Sequence, residues 1–444
     1  MPATETLSPA LNLASIRAQF PSLSQTVNGH PAAFLDGPGG TQVPQRVIDA
    51  ISNYLSRDNS NTSGAYVTGR RTDAMIAEAR SAMADFLHCA ADEVVFGPNM
   101  TTLTYAMSRA IGREWKPGDE IVVTRLDHDA NCSPWLQMAE DRGVTVRWAE
   151  IHDDDCTLDL ADFAAKINSK TKLVAAGYAS NAVGTINPVK EIVALAHQAG
   201  ALAYIDAVHY TPHGLIDVEA LDCDFLVCST YKFFGPHMGV LFGKREHLQR
   251  FRPYKVRPLT DAIPYRWEYG TLNHECIAGI AACVEYIADL GRQTTKMRVP
   301  HPSAFSKGGN DAASTGGLET ERRAAIESAY AAIHEHERAL LDRIMIGLKK
   351  IPGAKIYGIT DPARFEQRCA TIAVRIEGHT PLELATQLGD RGFFTWDGNY
   401  YALNLTEHLD VEKSGGFLRI GLVHYNTIDE VDRLLAALRE IIGR

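Results

Sequence analysis

Seven short apolar runs separated by helical stretches leave this chain few folds to choose from: EVVFG (93–97), EIVVT (120–124), VTVRWAE (144–150), KLVAAGYAS (172–180), ALAYIDA (201–207), DFLVCST (224–230) and GVLFG (239–243). Strands of that length alternate with helices when successive strands run parallel and each helix crosses back over the sheet. Runs that are apolar on both faces belong inside such a sheet. The pattern predicts an α/β fold with a doubly wound sheet, and in such sheets ligands sit at the carboxyl ends of the strands.

The residues that follow these runs are chemically coherent. After EVVFG, the segment Asn99-Met100-Thr101-Thr102 opens a helix, whose free N–H groups favour a phosphate. His128, in LDHDANCSPW, follows EIVVT and is placed to lie against a flat ring. Asn181 follows KLVAAGYAS and offers an amide to a phenolate oxygen. Asp206 ends an apolar strand, where a buried carboxylate needs a cationic or N–H partner such as a protonated pyridine nitrogen. Ser229 lies at the end of DFLVCST, and Lys232 follows just after it. Lys232 sits among Tyr231, Phe233 and Phe234, where poor solvation disfavours the ammonium and frees an amine nucleophile. Singly, each has an ordinary reading: a helix cap, a core histidine, a turn asparagine, a surface aspartate, a lysine reaching past aromatic rings to water. Together they meet the requirements for holding pyridoxal 5'-phosphate.

Composition narrows the partners. A formal net charge of -10, with Lys and Arg scattered along the chain, argues against nucleic acid or an anionic membrane. No apolar stretch approaches the roughly 20 residues that span a bilayer, and the opening residues lack a basic segment followed by an apolar core, so cytoplasm is the expected location. The eight cysteines include no Cys-x-x-Cys pair and no His/Cys cluster at zinc spacing, which predicts core thiols and no metal.

LDHDANCSPW, SNAVGTINPV, ALAYIDAVHYTPH and VCSTYKFFGP resemble the corresponding segments of class V aminotransferase-fold enzymes, in particular the cysteine desulfurase-like group. The resemblance is strong over about 34–290 and recognisable in GGFLRIGLVHYNT near the C-terminus. It implies the pyridoxal-phosphate transferase fold type I, a large domain with a mixed, mostly parallel sheet and a small α+β C-terminal domain. It further implies Lys232 as the Schiff-base lysine and His128 as the ring-stacking imidazole. Asn181 would meet the phenolic oxygen and Asp206 the pyridine nitrogen. His209 stands where the family often has Gln, and Ser229, Thr101 and Thr102 would hold the phosphate. Gly270 and Thr271, in RWEYGTLN, resemble the loop that reaches the neighbouring subunit's cofactor, which implies a homodimer. Arg419 matches the clamp for a substrate α-carboxylate.

Two departures shape the functional expectation. Desulfurases usually carry His before the lysine, whereas Tyr231 stands here. Their C-terminal loop bears a sulfur-accepting Cys, whereas GFFTWDGNYYALNLTEHL (392–409) has none, with Tyr400 or Tyr401 at that place and Trp396 near a substrate-binding Arg. A persulfide needs a thiolate on that loop. The expectation is therefore an enzyme acting on an α-amino acid by C–S lyase type elimination. The alternatives are a class V aminotransferase and a non-catalytic cofactor-binding protein.

The expected organisation is an N-terminal segment (1–33) packing with the small domain, a large cofactor-binding domain (34–290), a Gly/Ser/Pro-rich flexible insertion (291–318) and a small C-terminal domain (319–444). Residues 61–71 read as a surface loop ahead of a helix at 72–87.

Overall fold

The computed structural model describes residues 11–294 and 315–443. A seven-stranded sheet carries the fold: β1 (Val94–Gly97), β2 (Glu120–Thr124), β3 (Thr145–Ala149), β4 (Thr171–Gly177), β5 (Leu202–Asp206), β6 (Phe225–Ser229) and β7 (Gly239–Gly243). Their spatial order is β1-β7-β6-β5-β4-β2-β3. The strands run parallel except β7, which pairs antiparallel with both β6 and β1. The expected doubly wound, mostly parallel sheet is thus the sheet observed.

Residue alternation along the strands explains why the sheet is buried on both faces. Val94, Phe96, Val122, Val174, Ala203, Ile205, Leu226 and Cys228 enter one apolar core, while Val95, Ile121, Val123, Leu173, Tyr204, Phe225 and Val227 enter another. Successive strand residues point to opposite faces, so a run with no polar member must be covered twice.

Helices α1 (Gln45–Asn53), α2 (Val67–Leu87), α3 (Met100–Gly112) and α4 (His274–Thr294) belong to this layer system, and α5 (Thr315–Leu348) leads out of it. Ala325, Ile326, Ala329 and Ile333 on α5 join the large core. One end later, Leu340, Leu341, Ile344 and Leu348 join a third core. That third core covers an antiparallel sheet of β8 (Ala354–Tyr357), β9 (Thr371–Ile376), β10 (Trp396–Gly398) and β11 (Phe417–Gly421), in the order β8-β9-β11-β10. α6 (Ile428–Ile442) closes it and starts with a reciprocal cap between Thr427 and Glu430, which satisfies two of the donors a helix start leaves open.

Two expected boundaries shift. α2 begins at Val67, so part of the stretch read as a loop is the helix's first turn; Gly69 and Arg70-Arg71 look polar in sequence, but Gly69 packs against Gly64. The insertion expected at 291–318 falls largely on 295–314, outside the described residues. Its first four residues continue α4, and its last residues already belong to α5.

The turn 36–39 is brought to the strand ends from the small sheet. Gly421 N–H donates to Leu35 O at 2.7 Å, and a Cβ on Gly421 would lie 1.9 Å from Pro38. Only glycine permits that approach. Through it, β11 and the Pro38 carbonyl meet over the end of β6.

Candidate active site

Where the strand order reverses, between β2 and β4, the loops part and leave a crevice. Its inner part is lined by Asn99, Met100, Thr101, Asp127, His128, Asn181, Asp206, His209, Ser229 and Lys232. Its mouth, a cavity of about 480 Å³, adds Trp396, Tyr400, Tyr401 and Arg419. Most of the expected residues therefore converge.

Lys232 occupies a single helical turn after β6. Its ammonium donates to Pro38 O and lies 4.7 Å from the Tyr231 ring centroid. Burial, together with the Arg419 cation, brings its pKa down to about 7, against the smaller opposing pull of Asp206 and Asp36. A large fraction of Lys232 is thus a free amine at neutral pH.

Asp206 is 7% exposed and accepts the Val208 N–H at 2.9 Å. Burial pushes its carboxyl up to about 7, and the neighbouring Asp127 adds to the rise. Such a group gains most from a cationic N–H partner delivered into the crevice. Asp127 is a member that the sequence reading missed. It accepts from Thr124 Oγ1 (2.7 Å), Asn131 Nδ2 (2.7 Å) and Gly177 N–H (2.9 Å), tying the end of β2 to the end of β4. Its position one residue before His128 was the available signal.

His128 Nδ1 accepts the Ala130 N–H at 3.0 Å, which fixes the tautomer carrying its proton on Nε2. Burial and the cations of Lys232 and Arg419 lower its pKa to about 4. It is neutral, and its ring already stacks on one side with Tyr401, leaving the other face for a flat ligand. Ser229 Oγ accepts the Met100 N–H at 3.2 Å at the start of α3, so the hydroxyl and that helix's N-terminus form one cradle. Thr101 lines it. Thr102 does not: its N–H is taken by the Asn99 cap at 2.8 Å, and its side chain is exposed.

Arg419, on β11, donates to Asn181 O at 2.9 Å and lies 4.0 Å from the Tyr400 ring centroid. Burial lowers its pKa to about 10, still a cation at neutral pH. The two tyrosines have different settings. Tyr400 is buried, and its hydroxyl donates to the Phe417 carbonyl. Tyr401 is 72% exposed and stacks on His128, with ring centroids 5.4 Å apart. Both have positive φ, 57° and 61°, a cost of about 1 kcal/mol or more for each non-glycine residue. Asn181 Nδ2 donating to Tyr400 O (2.9 Å) and Asp129 N–H donating to Tyr401 O (2.7 Å) hold the loop there. Removing the buried hydroxyl in Tyr400→Phe is expected to destabilise the protein by about 1 kcal/mol, read as a lower denaturant midpoint with an unchanged slope.

Gly270 and Thr271 do not reach the crevice of their own chain. They are exposed and line a separate cleft of about 820 Å³ with Arg80, Glu268 and the apolar Val256 and Tyr265. Among the described residues, no helix is long and apolar enough to cross a membrane.

The crevice fits pyridoxal 5'-phosphate on its own chemistry: a depressed lysine, a buried carboxylate seeking a cation, a neutral imidazole and a hydroxyl-plus-helix cradle. Asn181 Nδ2 spends one of its two N–H groups on Tyr400 O and keeps the other to offer an acceptor in the crevice. Fold and site define a pyridoxal-phosphate enzyme of fold type I.

Comparison with known proteins gives the family. The profile of "Aminotransferase class-V" matches residues 33–299 and 295–434. The cysteine desulfurase of Dickeya dadantii is 31% identical over 96% of this chain and 96% of its own length. A probable cysteine desulfurase of Mycolicibacterium paratuberculosis is 33% identical over 97% of this chain, which spans 58% of that longer relative. In structure, the Escherichia coli cysteine desulfurase CsdA superposes with a TM-score of 0.80 at 24% identity, covering 98% of this chain and 99% of that one. The chain belongs to the class V aminotransferase family, on its cysteine desulfurase-like branch, and is a pyridoxal-phosphate-dependent enzyme.

Proposed function

We propose that this enzyme acts on an α-amino acid and eliminates a β or γ substituent, in the manner of a C–S lyase, without storing sulfur on the protein. The observation that carries this reading is the lining of the crevice around Lys232, which among the described residues includes Tyr400 and Tyr401 of the C-terminal loop and no cysteine. Cys132, the cysteine nearest His128 in sequence, is fully buried, and burial raises its pKa well above the ordinary thiol range. A persulfide needs an accessible thiolate.

Pyridoxal 5'-phosphate, when bound, supplies an aldehyde carbon for the substrate amine and an electron sink for the α-carbon. Lys232 would hold it covalently, with Asp206 at the ring nitrogen, His128 on the ring face, Asn181 at the phenolic edge, and Ser229 and Thr101 at the phosphate. The Arg419 guanidinium binds the substrate carboxylate through its planar fork, and its stacking on Tyr400 fixes that plane. Lys232 Nζ then stands on the substrate side of the crevice, where it takes the proton from the α-carbon and returns it to the leaving group or product. Tyr401 covers His128 at the mouth and limits water there.

A screen of amino acids scored for sulfide, ammonia, pyruvate and other oxo-acids tests the reading. Sulfide or another leaving group released with ammonia and an oxo-acid supports elimination. An oxo-acid formed only with a second oxo-acid present would identify transamination, and rapid persulfide on one cysteine would overturn the proposal in favour of desulfuration.

Cofactor uptake should report the state of Lys232. With its pKa at about 7, the attacking free amine falls roughly tenfold per pH unit below that value and is nearly constant above it. The rate at which cofactor-free protein takes up the aldehyde is expected to rise up to about pH 7 and then level; a rise continuing to pH 10 would show an ordinary, solvated lysine.

We also propose a homodimer in which Gly270 and Thr271 complete the partner's phosphate cradle, which accounts for their distance from the crevice of their own chain. Light scattering should give twice the chain mass, and Thr271→Ala should weaken cofactor retention. A monomer with full cofactor occupancy would refute it.

A further inference from the structure

At His209 the chain assembles a second set of donors. His209 and His213 follow β5 one helical turn apart, and Cys369 precedes β9. One ring nitrogen of each histidine and the Cys369 Sγ lie within 4.8 Å of one another, and all three residues are more than nine-tenths buried. Buried imidazoles ordinarily satisfy both nitrogens. Here the Nε2 atoms of both His209 and His213 have no hydrogen-bond partner among the described residues. His213 Nδ1 meets Glu337 Oε2 at 2.7 Å, so its proton sits on Nδ1 and its Nε2 lone pair is left bare. A carboxylate holding the far nitrogen of a metal-ligating histidine is the usual supporting arrangement.

From these observations we propose that His209, His213 and Cys369 form a metal site, with Glu337 as the positioning residue, suited to Zn²⁺. The donor set is two imidazoles and a thiolate, which binds borderline-soft divalent ions. Ligand atoms of a tetrahedral zinc site lie about 3.5 Å apart, so closing the set takes side-chain shifts on the order of 1 Å. A cavity of about 330 Å³ lined by His213, Glu337 and Cys369 provides the entry path and room for a water as fourth ligand. Binding exchanges the Cys369 S–H for a sulfur–metal bond and releases one proton to solvent. Burial, with the Glu337 carboxylate adding to it, holds the Cys369 thiol well above its ordinary range against the smaller pull of Arg368, so the metal itself must displace the proton. The site stands apart from the reading of the Lys232 crevice, although His209 borders both, and metal there would clamp one wall of the cofactor pocket to the segment that leads into β9.

Co²⁺ is the probe. The holoprotein, treated with chelator and then titrated, is expected to bind one Co²⁺ per chain with a thiolate-to-cobalt charge-transfer band in the near ultraviolet, and Zn²⁺ should bleach it. Cys369→Ser should remove the band, and Glu337→Gln should keep it while weakening affinity by about 10- to 100-fold. Circular dichroism of each variant checks folding. Absence of the band in the wild-type chain, or a band that survives Cys369→Ser, overturns the proposal. Should Cys369→Ser fail to fold, Glu337→Gln decides alone: affinity unchanged to within about twofold overturns it.

Discussion

Lys232→Ala is expected to lower kcat by about 10⁴-fold or more while leaving the fold intact. Among the crevice residues, no other group can assume both of its tasks. His128 already spends Nδ1 on the Ala130 N–H, and its basicity is lowered to about 4. Burial pushes the Tyr231 phenol above its ordinary range, and Arg419 stays protonated. The Phe233 and Phe234 side chains, fully buried behind the lysine, anchor its backbone, so truncation of a polar side chain at the crevice wall costs little packing. Borohydride treatment of the wild-type protein should fix the cofactor to one peptide, the one containing Lys232, and the variant should show no such adduct. An adduct on another lysine, or a kcat loss below about tenfold, would remove Lys232 from the centre of the mechanism.

How much of this could be read from the chain follows from what is local in sequence. The strands were legible because β6 and its neighbours are unbroken apolar runs, and the residues at their ends were legible because strand termini share one edge of a parallel sheet. Tyr400 and Tyr401 were placed at the right loop, but nothing in NYYALNL tells that one hydroxyl would turn inward to the Phe417 carbonyl and the other ring outward over His128. Thr102 looked equivalent to Thr101, and the Asn99 cap separates them by taking its N–H. The Cys369 cluster was invisible: His209 and His213 share a loop, but Cys369 is brought in by the pairing of β9 with β11 and β8, a long-range contact that no local spacing encodes. The missing zinc spacing was a sound observation about sequence neighbours and said nothing of residues joined by the fold. The expected partner contact through Gly270 and Thr271 rests on a second chain, which no intrachain pattern can locate.

Asp206→Asn is expected to cut kcat by about 10²- to 10³-fold while cofactor content falls far less. Asparagine preserves the shape of the side chain and can still accept the Val208 N–H, so the end of β5 and its register with Val227 should persist. What disappears is the charge. Asp206 lies buried beside Asp127, and in the protein alone its carboxyl is raised to about 7; a protonated ring nitrogen placed against it would draw that value down and be held protonated in return. An amide offers no such reciprocity, so the chain would lose the charge that would keep the ring nitrogen protonated and so support the electron-sink chemistry the cofactor would supply. The interaction is stronger in the transition state than in the bound substrate, so the loss should fall on kcat, with KM changing by less than about threefold. Steady-state kinetics on the substrate identified by the screen, with cofactor quantified after alkaline release, separates the two effects. A proportional loss of cofactor and activity would mean that Asp206 serves retention alone. The same experiment on Asp127→Asn gives the contrast: with Thr124, Asn131 and Gly177 all donating to it, Asp127 holds the strand ends together, and its removal should appear first in stability and only secondarily in kcat.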